Sequence, residues 1–388
     1  MHIKPAKLKH TVIFLAGISA VSIPVIAWAD WSIKGLGALG GSYSIAKAIN
    51  DFGQVVGVDN GAGVSRAFIT GANGVGINYL DNSGGVGTYA ADINISGQVV
   101  GHSFTSTGNM HAFITGANGV GMTDLGTLGG DYSIAYGVND SGQVVGVSST
   151  AGNAAYHAFI TGPGGAGMTD LTALRRISSV AYDINNSGQV VGSFSNARNT
   201  IQHAFITGEN GIGIKDLGSI YGATHSFAGG INEAGQVVGF SGSYDPLSGY
   251  LPGHAFVTDI NGLSLTDLGT PIDSIANDIN DFGQVVGGLN SYCIQCTHSA
   301  FLYADDLITD LSLLAPVIAA GWTELSAVGI NNHGQIIGWG SLKDSPGGGS
   351  RAFLLSPIAA IPEPETYAML LAGLGFLGFA LRRRKQTT

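Results

Sequence analysis

The sequence predicts an all-β fold: a seven-bladed β-propeller of four-stranded blades, closed by its N-terminal strand, with a transmembrane helix near the C-terminal end. Three observations predict it. One unit of about 45 residues recurs seven times. Each unit holds four short apolar segments split by turn residues. The repeats also begin and end one segment out of phase, as a ring closed by its own first strand requires.

Composition supports an ordered β structure. The 388 residues include 62 Gly but only 11 Pro, and 45% are apolar against 11% charged. Disorder needs the opposite balance. Gly spaced between short Val and Ile runs marks tight turns between strands. The net charge of −10 is unevenly spread. Setting aside the basic and acidic residues of the two ends leaves 9 basic and 24 acidic residues in the middle, about −15. So acidic a body argues against nucleic acid, whose phosphates call for a basic surface.

The clearest repeat marker is Gly-Gln-[Val/Ile]-[Val/Ile]-Gly, beginning at Gly53, Gly97, Gly142, Gly188, Gly235, Gly283 and Gly334. Before each copy stands [Ile/Val]-Asn, at Asn50, Asn94, Asn139, Asn185, Asn232, Asn280 and Asn331. After each comes an Ala-Phe pair, at Phe68, Phe113, Phe159, Phe205, Phe256, Phe301 and Phe353. A fourth segment ends in Leu, typified by Thr123-Asp124-Leu125, and recurs near Leu36, Leu80, Leu171, Leu217, Leu268 and Leu311. Residues 121–125, 132–138, 143–147 and 157–161 are therefore read as strands, too short for helices and rich in Val, Ile, Phe and Thr. Asn139-Asp140-Ser141-Gly142 reads as a hairpin turn, with Asn capping its own backbone and Gly taking the φ > 0 position. That gives the repeated Asn a structural role rather than a ligand or metal role.

Closure follows from phase. The chain after residue 29 starts with a Leu segment, Trp31 to Gly37, and its last repeat stops at the Phe segment, Arg351 to Leu355. A ring whose last blade is completed by the first strand has this offset and exposes no free sheet edge. The alternative is an open β-solenoid, since period alone does not fix closure.

The two ends read as targeting segments. Residues 1–29 form a signal peptide: Lys4, Lys7, Lys9 and His10 are the positive region, 11–26 is uncharged and apolar, and Ala27-Trp28-Ala29 is the cleavage pattern, with Ala29 as the cleavage residue. An uncleaved anchor is the alternative. Residues 30–357 hold the repeats, and 358–388 form the C-terminal segment. There, Pro362-Glu363-Pro364 precedes an apolar stretch, read as a transmembrane helix over 366–381, and then Arg382-Arg383-Arg384-Lys385. The basic cluster stays cytoplasmic by the positive-inside bias, and Gly373, Gly375 and Gly378 are tolerated in a membrane helix.

That order resembles the PEP-CTERM sorting signal, carried by Pro362, Glu363, Pro364, Arg382, Arg383 and Arg384. The resemblance implies a Gram-negative bacterium, transient anchoring in the inner membrane, an exosortase-type sorting enzyme as partner, and delivery to the envelope or outside. It also implies an association with exopolysaccharide. The repeats resemble the HAF family of probable extracellular repeats. His-Ala-Phe stands in full at His111, His157, His203 and His254; Arg66 and Arg351 replace His in the first and last copies, and the sixth reads His298-Ser299-Ala300-Phe301. That family brings no established activity.

Candidate chemistry is sparse. The repeated His sit on separate blades, too far apart for one ion, and read as polar residues pairing with a neighbouring blade. Cys293 and Cys296 are the only two Cys and read as a short disulfide in an exported loop; a redox pair lacks its βαβ context, and zinc with His298 lacks a fourth ligand. Asp92, Asp183 and Asp278 stand two residues before the repeat Asn in alternate units, where the others have Ala48, Gly137, Gly230 and Gly329. If that strand lines the axial channel, three carboxylates converge, suited to glycoside chemistry or a hard cation; otherwise they are solvated strand-end acids. No Ser/His/Asp, Walker or dinucleotide motif stands out. We therefore expect no cofactor, metal or nucleic acid, and a monomer. The expected role is a non-enzymatic binding or structural module at the cell surface or in extracellular matrix, associated with exopolysaccharide. The alternative is a propeller hydrolase or lyase acting on polysaccharide. Departures from the repeat mark where function lies: the three Asp, the Cys loop, the insertion 243–253, and exposed aromatics such as Tyr221, Tyr244 and Tyr250.

Overall fold

The computed structural model of the protein describes residues 30–36, 43–61, 63–82, 84–172, 178–195, 201–243, 252–271, 273–289, 298–343 and 349–358. The signal peptide with Ala29, the sorting segment with the helix expected over 366–381, Cys293, Cys296, Tyr244 and Tyr250 lie outside the described residues. Among the described residues, no helix is long and apolar enough to cross a membrane. The body Trp31–Ile358 is one compact unit.

Its described residues are all β apart from short turns of helix. Consecutive strands pair antiparallel in fours, giving three four-stranded sheets and two eight-stranded ones. Each eight-stranded sheet is two fours joined by a single parallel pair, Tyr132 with Met110 and Gln202 with His225. A representative four comprises Gly129–Val138, Val144–Thr150, Tyr156–Thr161 and Met168–Asp170. The Leu segment belongs at the end of a unit, not its start: Phe113 pairs with Asp124, so Thr123–Asp124 is the outer strand of the sheet before. The last sheet follows the same rule with a strand from the other end of the chain. Its order runs from Trp322–Ile330 inside, through Ile336–Leu342 and Arg351–Ile358, to Asp30–Gly35 outside. The Leu36 N–H donates to the Ala352 carbonyl at 2.8 Å.

Local chemistry explains the repeat markers. In the turn after each inner strand, the Asn139 side-chain oxygen accepts from the Gln143 N–H at 3.0 Å, and Gly142 takes φ 76°. The second Gly of the marker serves a different need. A Cβ at Gly146 would run into the Ile134 carbonyl of the neighbouring strand, and one at Gly192 would also meet the Phe205 ring. Only Gly lets the Phe ring and the bulged inner strand approach so closely. That ring is fully buried in every unit, from Phe68 to Phe353.

The apolar core is divided among the junctions. Val100, Ala112 and Ile114 of one unit pack on Ala135, Val138, Val144 and Phe159 of the next. Equivalent clusters fill the other junctions. Leu36, Ile337, Ala352 and Leu354 of the last sheet pack on Ala46, Val55 and Phe68 of the first.

The same junctions carry a closed cycle of hydrogen bonds. Each repeat Asn donates through Nδ2 to the backbone carbonyl of the Asn in the next unit: Asn50 to Asn94, Asn94 to Asn139, Asn139 to Asn185, Asn185 to Asn232, Asn232 to Asn280, Asn280 to Asn331, and Asn331 back to Asn50, all at 3.0–3.2 Å. The array is thus a closed, propeller-like ring. Replacing Asn331 by Ala removes the closing donor and leaves the N–H groups of His333 and Gln335 without their acceptor. We expect a loss of about 2 kcal/mol in urea unfolding, and a similar loss for Asn139→Ala because every link is alike. Losses below about 0.5 kcal/mol at both positions would show that the cycle does not stabilise the ring.

Candidate functional site

The inner strands surround the ring's axis, and their side chains fall into layers. Counting back from the Asn, the fourth residue is Ala in every unit, from Ala46 to Ala327, and is buried against the sheet. The third residue differs in every unit but one pair: Lys47, Ala91, Tyr136, Tyr182, Gly229, Asn277 and Val328. All seven line an axial cavity of about 650 Å³, together with Tyr89, His102, Ile134, Phe227 and Ile275. A cavity of this size, mostly apolar with a few polar groups, is typical of small-molecule sites.

The polar groups in it are few and shifted. Burial lowers the pKa of Lys47. Burial, with the Lys47 charge adding, pushes His102 down to about 4, so its ring is neutral at pH 7. That ring stacks on Tyr89 with centroids 4.6 Å apart. Burial pushes Tyr136 up to about 12, and its ring lies 5.6 Å from that of Tyr182. Asn277 is held by a 2.7 Å bond from Nδ2 to the Ala327 carbonyl.

The three aspartates form the next layer along the axis, between this cavity and the Asn cycle. A smaller space of about 140 Å³ on the far side is lined by the cycle and by Asp51, Glu233, Asp281 and Asn332. Asp92, Asp183 and Asp278 line neither space. Both oxygens of each are committed to backbone. Asp92 accepts from the Ile93 and Val138 N–H groups, Asp183 from Ile184 and Ile231, and Asp278 from Ile279 and Ile330, all at 2.7–2.9 Å. In each pair the second donor belongs to the next unit, so each carboxylate ties one junction. Small residues alternate with them for want of room: a Cβ pointing from Gly137 already sits 3.0 Å from the Asp183 Cα.

Burial dominates their ionisation. It pushes Asp92 up to about 7 against the two N–H bonds, with the charges of Asp278 and Asp140 adding. It pushes Asp278 up to about 6. Asp183 is raised well above the usual carboxylate range by burial and by the charges of Asp92 and Asp278. Among the described residues, no group of three or more His, Cys, Asp or Glu is disposed to hold a metal ion.

The repeated His are structural, but their partner differs from expectation. His111, His157, His203 and His254 face Asp124, Asp170, Asp216 and Asp267 at 2.7–3.4 Å. Each Asp lies on the outer strand of the same sheet, not on a neighbouring unit, because the strand register sets the two diagonally opposite. Where His is replaced, the contact is rebuilt. Arg66 lies 3.6 Å over the Tyr79 ring, and Ser299 bonds Asp310 at 3.0 Å, so the sixth unit keeps the register despite its His298 being one residue out. Exposed Tyr221 donates to Asp267 at 3.0 Å and packs its ring on His254, while Tyr244 and Tyr250 lie outside the described residues.

The cavity residues Lys47, Tyr89, His102, Tyr136, Tyr182, Phe227 and Asn277 escaped sequence reasoning. For Lys47, Tyr136, Tyr182 and Asn277 the signal was present: within an otherwise uniform Ala-x-x-[Ile/Val]-Asn stretch, the residue after Ala varies among the units.

Comparison with known proteins agrees with this picture. Residues 360–385 match the PEP-CTERM protein-sorting motif, which marks an exported protein directed to the cell envelope and to an exosortase. Residues 223–355 match a family described as a protein of unknown function (DUF3466). No curated protein matches the chain. Among solved structures, the fold is similar to the β-propeller domain of the Trilobed protease from Pyrococcus furiosus, at 8% identity and a TM-score of 0.52, covering 80% of this chain and 95% of that one. It is also similar to the Pyrococcus horikoshii acylaminoacyl peptidase, at 10% identity and a TM-score of 0.51, covering 84% of this chain and 52% of the peptidase. At these identities the likeness is one of fold alone.

The aspartate layer makes stability depend on pH in a defined direction. A carboxyl whose pKa is higher folded than unfolded stabilises the fold below about pH 4, and loses that contribution as pH rises through its folded value. For Asp92 and Asp278 that loss falls between pH 4 and about 6 to 7. Asp92→Asn cannot ionise, so its unfolding midpoint should fall less steeply than the wild type between pH 4 and 7 in parallel thermal melts. Identical slopes would mean that Asp92 titrates normally.

Proposed function

We propose that this chain is an exported binding module of the cell surface or extracellular matrix, non-enzymatic, whose seven HAF-type repeats are the seven blades of one propeller. It recognises polysaccharide in its axial cavity. The closed Asn cycle supports the blade count, one Asn to each blade. The helix over 366–381 would hold the chain in the inner membrane until an exosortase acts on the adjoining Pro362-Glu363-Pro364 motif.

One observation carries the binding reading: the cavity presents aromatic faces and no carboxylate. Tyr89, Tyr136, Tyr182 and Phe227 line it, and sugar rings stack their apolar C–H faces on such side chains. The competing reading, a hydrolase or lyase on the same polymer, calls for a carboxyl group free to meet a glycosidic bond. Asp92, Asp183 and Asp278 have the raised pKa of a general acid, but their oxygens are already bonded to backbone.

A glycan array read for both retention and cleavage tests the two readings together. We expect retention of at least one polysaccharide without new reducing ends, lowered about tenfold or more by the Tyr136→Ala, Tyr182→Ala double variant, in line with the loss of two aromatic contacts. Cleavage would replace the binding reading with the enzymatic one. Absence of any glycan signal would remove both.

A further inference from the structure

We propose that the axial cavity selects an acidic sugar, with the Lys47 ammonium pairing with the carboxylate of a uronate unit stacked among Tyr89, Tyr136, Tyr182 and Phe227. This deepens, and rests on, the polysaccharide-binding reading above.

The charge distribution points to an anion. The repeats carry about −15 overall, yet no Asp or Glu lines the cavity and Lys47 is its only side chain charged at neutral pH. The Lys47 ammonium makes no hydrogen bond or ion pair among the described residues. Lys47 stands exposed in the cavity wall with no counter-ion among the described residues, so its charge is open to a ligand that supplies the missing negative one. His102 beside it is neutral and adds hydrogen bonds rather than charge.

The number of donors points to a carboxylate rather than a phosphate. Phosphate sites gather two or more positive groups or a nest of backbone N–H groups at a helix N-terminus. The cavity offers one Lys, no Arg and only strand backbone. A single ammonium matches a single carboxylate charge.

The remaining lining matches a pyranose. Aromatic rings from three successive inner strands and Phe227 offer flat apolar faces, while His102 and Asn277 offer polar groups for ring hydroxyls. A neutral sugar would find the same faces and leave Lys47 unpaired, which is the source of selectivity.

Calorimetric titration of the full chain with a β-1,4-linked glucuronate tetramer and with the β-1,4-linked glucose tetramer tests this. The two ligands differ only in the carboxylate, so the comparison holds on the wild-type protein even if a variant fails to fold. We expect the glucuronate tetramer to bind at least tenfold more tightly. Lys47→Met and Lys47→Gln should bring its affinity down to that of the glucose tetramer for the wild type. Equal affinities in the wild type, or a preference for glucose, would overturn the acid selection while leaving polysaccharide binding standing. Binding of neither tetramer, with no glycan retained on the array, would overturn the binding reading itself.

Discussion

The fold depends on a side-chain amide that works in two directions at once. Within its own unit, the oxygen of each repeat Asn caps the hairpin that follows the inner strand. Across the junction, its nitrogen reaches the backbone of the next unit. The Gln of the adjacent marker keeps the amide in place, with Gln54 accepting from Asn50 at 2.9 Å. It then reaches outward itself: Gln54 bonds Asn118, and Gln335 bonds Asn73 across the closure. Neither Ser nor Asp offers both an acceptor and two donors at that reach. A turn residue thereby becomes the element that sets one unit against the next, which no packing of apolar wedges alone would fix.

Around that cycle the repeat divides labour by position. The Phe and the second Gly of the marker serve the junction core, and the first Gly serves the turn. His and its outer-strand Asp fasten the sheet's edge. The Phe and Gly duties recur in each unit and the His–Asp contact in four, so none of them distinguishes one ligand from another. The residue after the invariant Ala has no such duty. It points at the axis, where seven strands present one side chain each, and it is free to be Lys, Tyr, Asn, Val, Ala or Gly.

The architecture was legible in the sequence because its causes are local. Asn139 and Gly142 announce a turn, Val144 and Val145 a strand, and the recurrence of such sets a repeat array. The offset between Trp31 and Leu355 pointed to the strand exchange that completes the last sheet. What stayed hidden depends on register. His111 shows its polarity but not its partner, because only the pairing of Phe113 with Asp124 sets His111 diagonally opposite that carboxylate. Asp92, Asp183 and Asp278 drew attention as titratable groups, whereas the bulge between Ala90 and Asp92 sends the carboxylate to the junction and leaves the cavity to its neighbours. Lys47 and Tyr182 look unremarkable in their own units and acquire meaning only together.

The alternation of Asp with small residues has a consequence rooted in parity. Positions on a closed loop take two kinds in strict turn only when their number is even. With seven, two like neighbours must meet somewhere, and here they are Gly329 and Ala48. They meet between the last unit and the first, the junction next to the sheet built from both ends of the chain. The ring therefore has a single place where its internal rhythm breaks, and that seam adjoins the last sheet, where Asp30–Gly35 pairs with Arg351–Ile358. That seam is held by the Asn331 link to Asn50, by the Asn332 pair with Asp51, and by Leu36 in the adjoining core. An odd ring cannot be uniform, and this one gathers its irregularity beside the sheet assembled from opposite ends of the repeats.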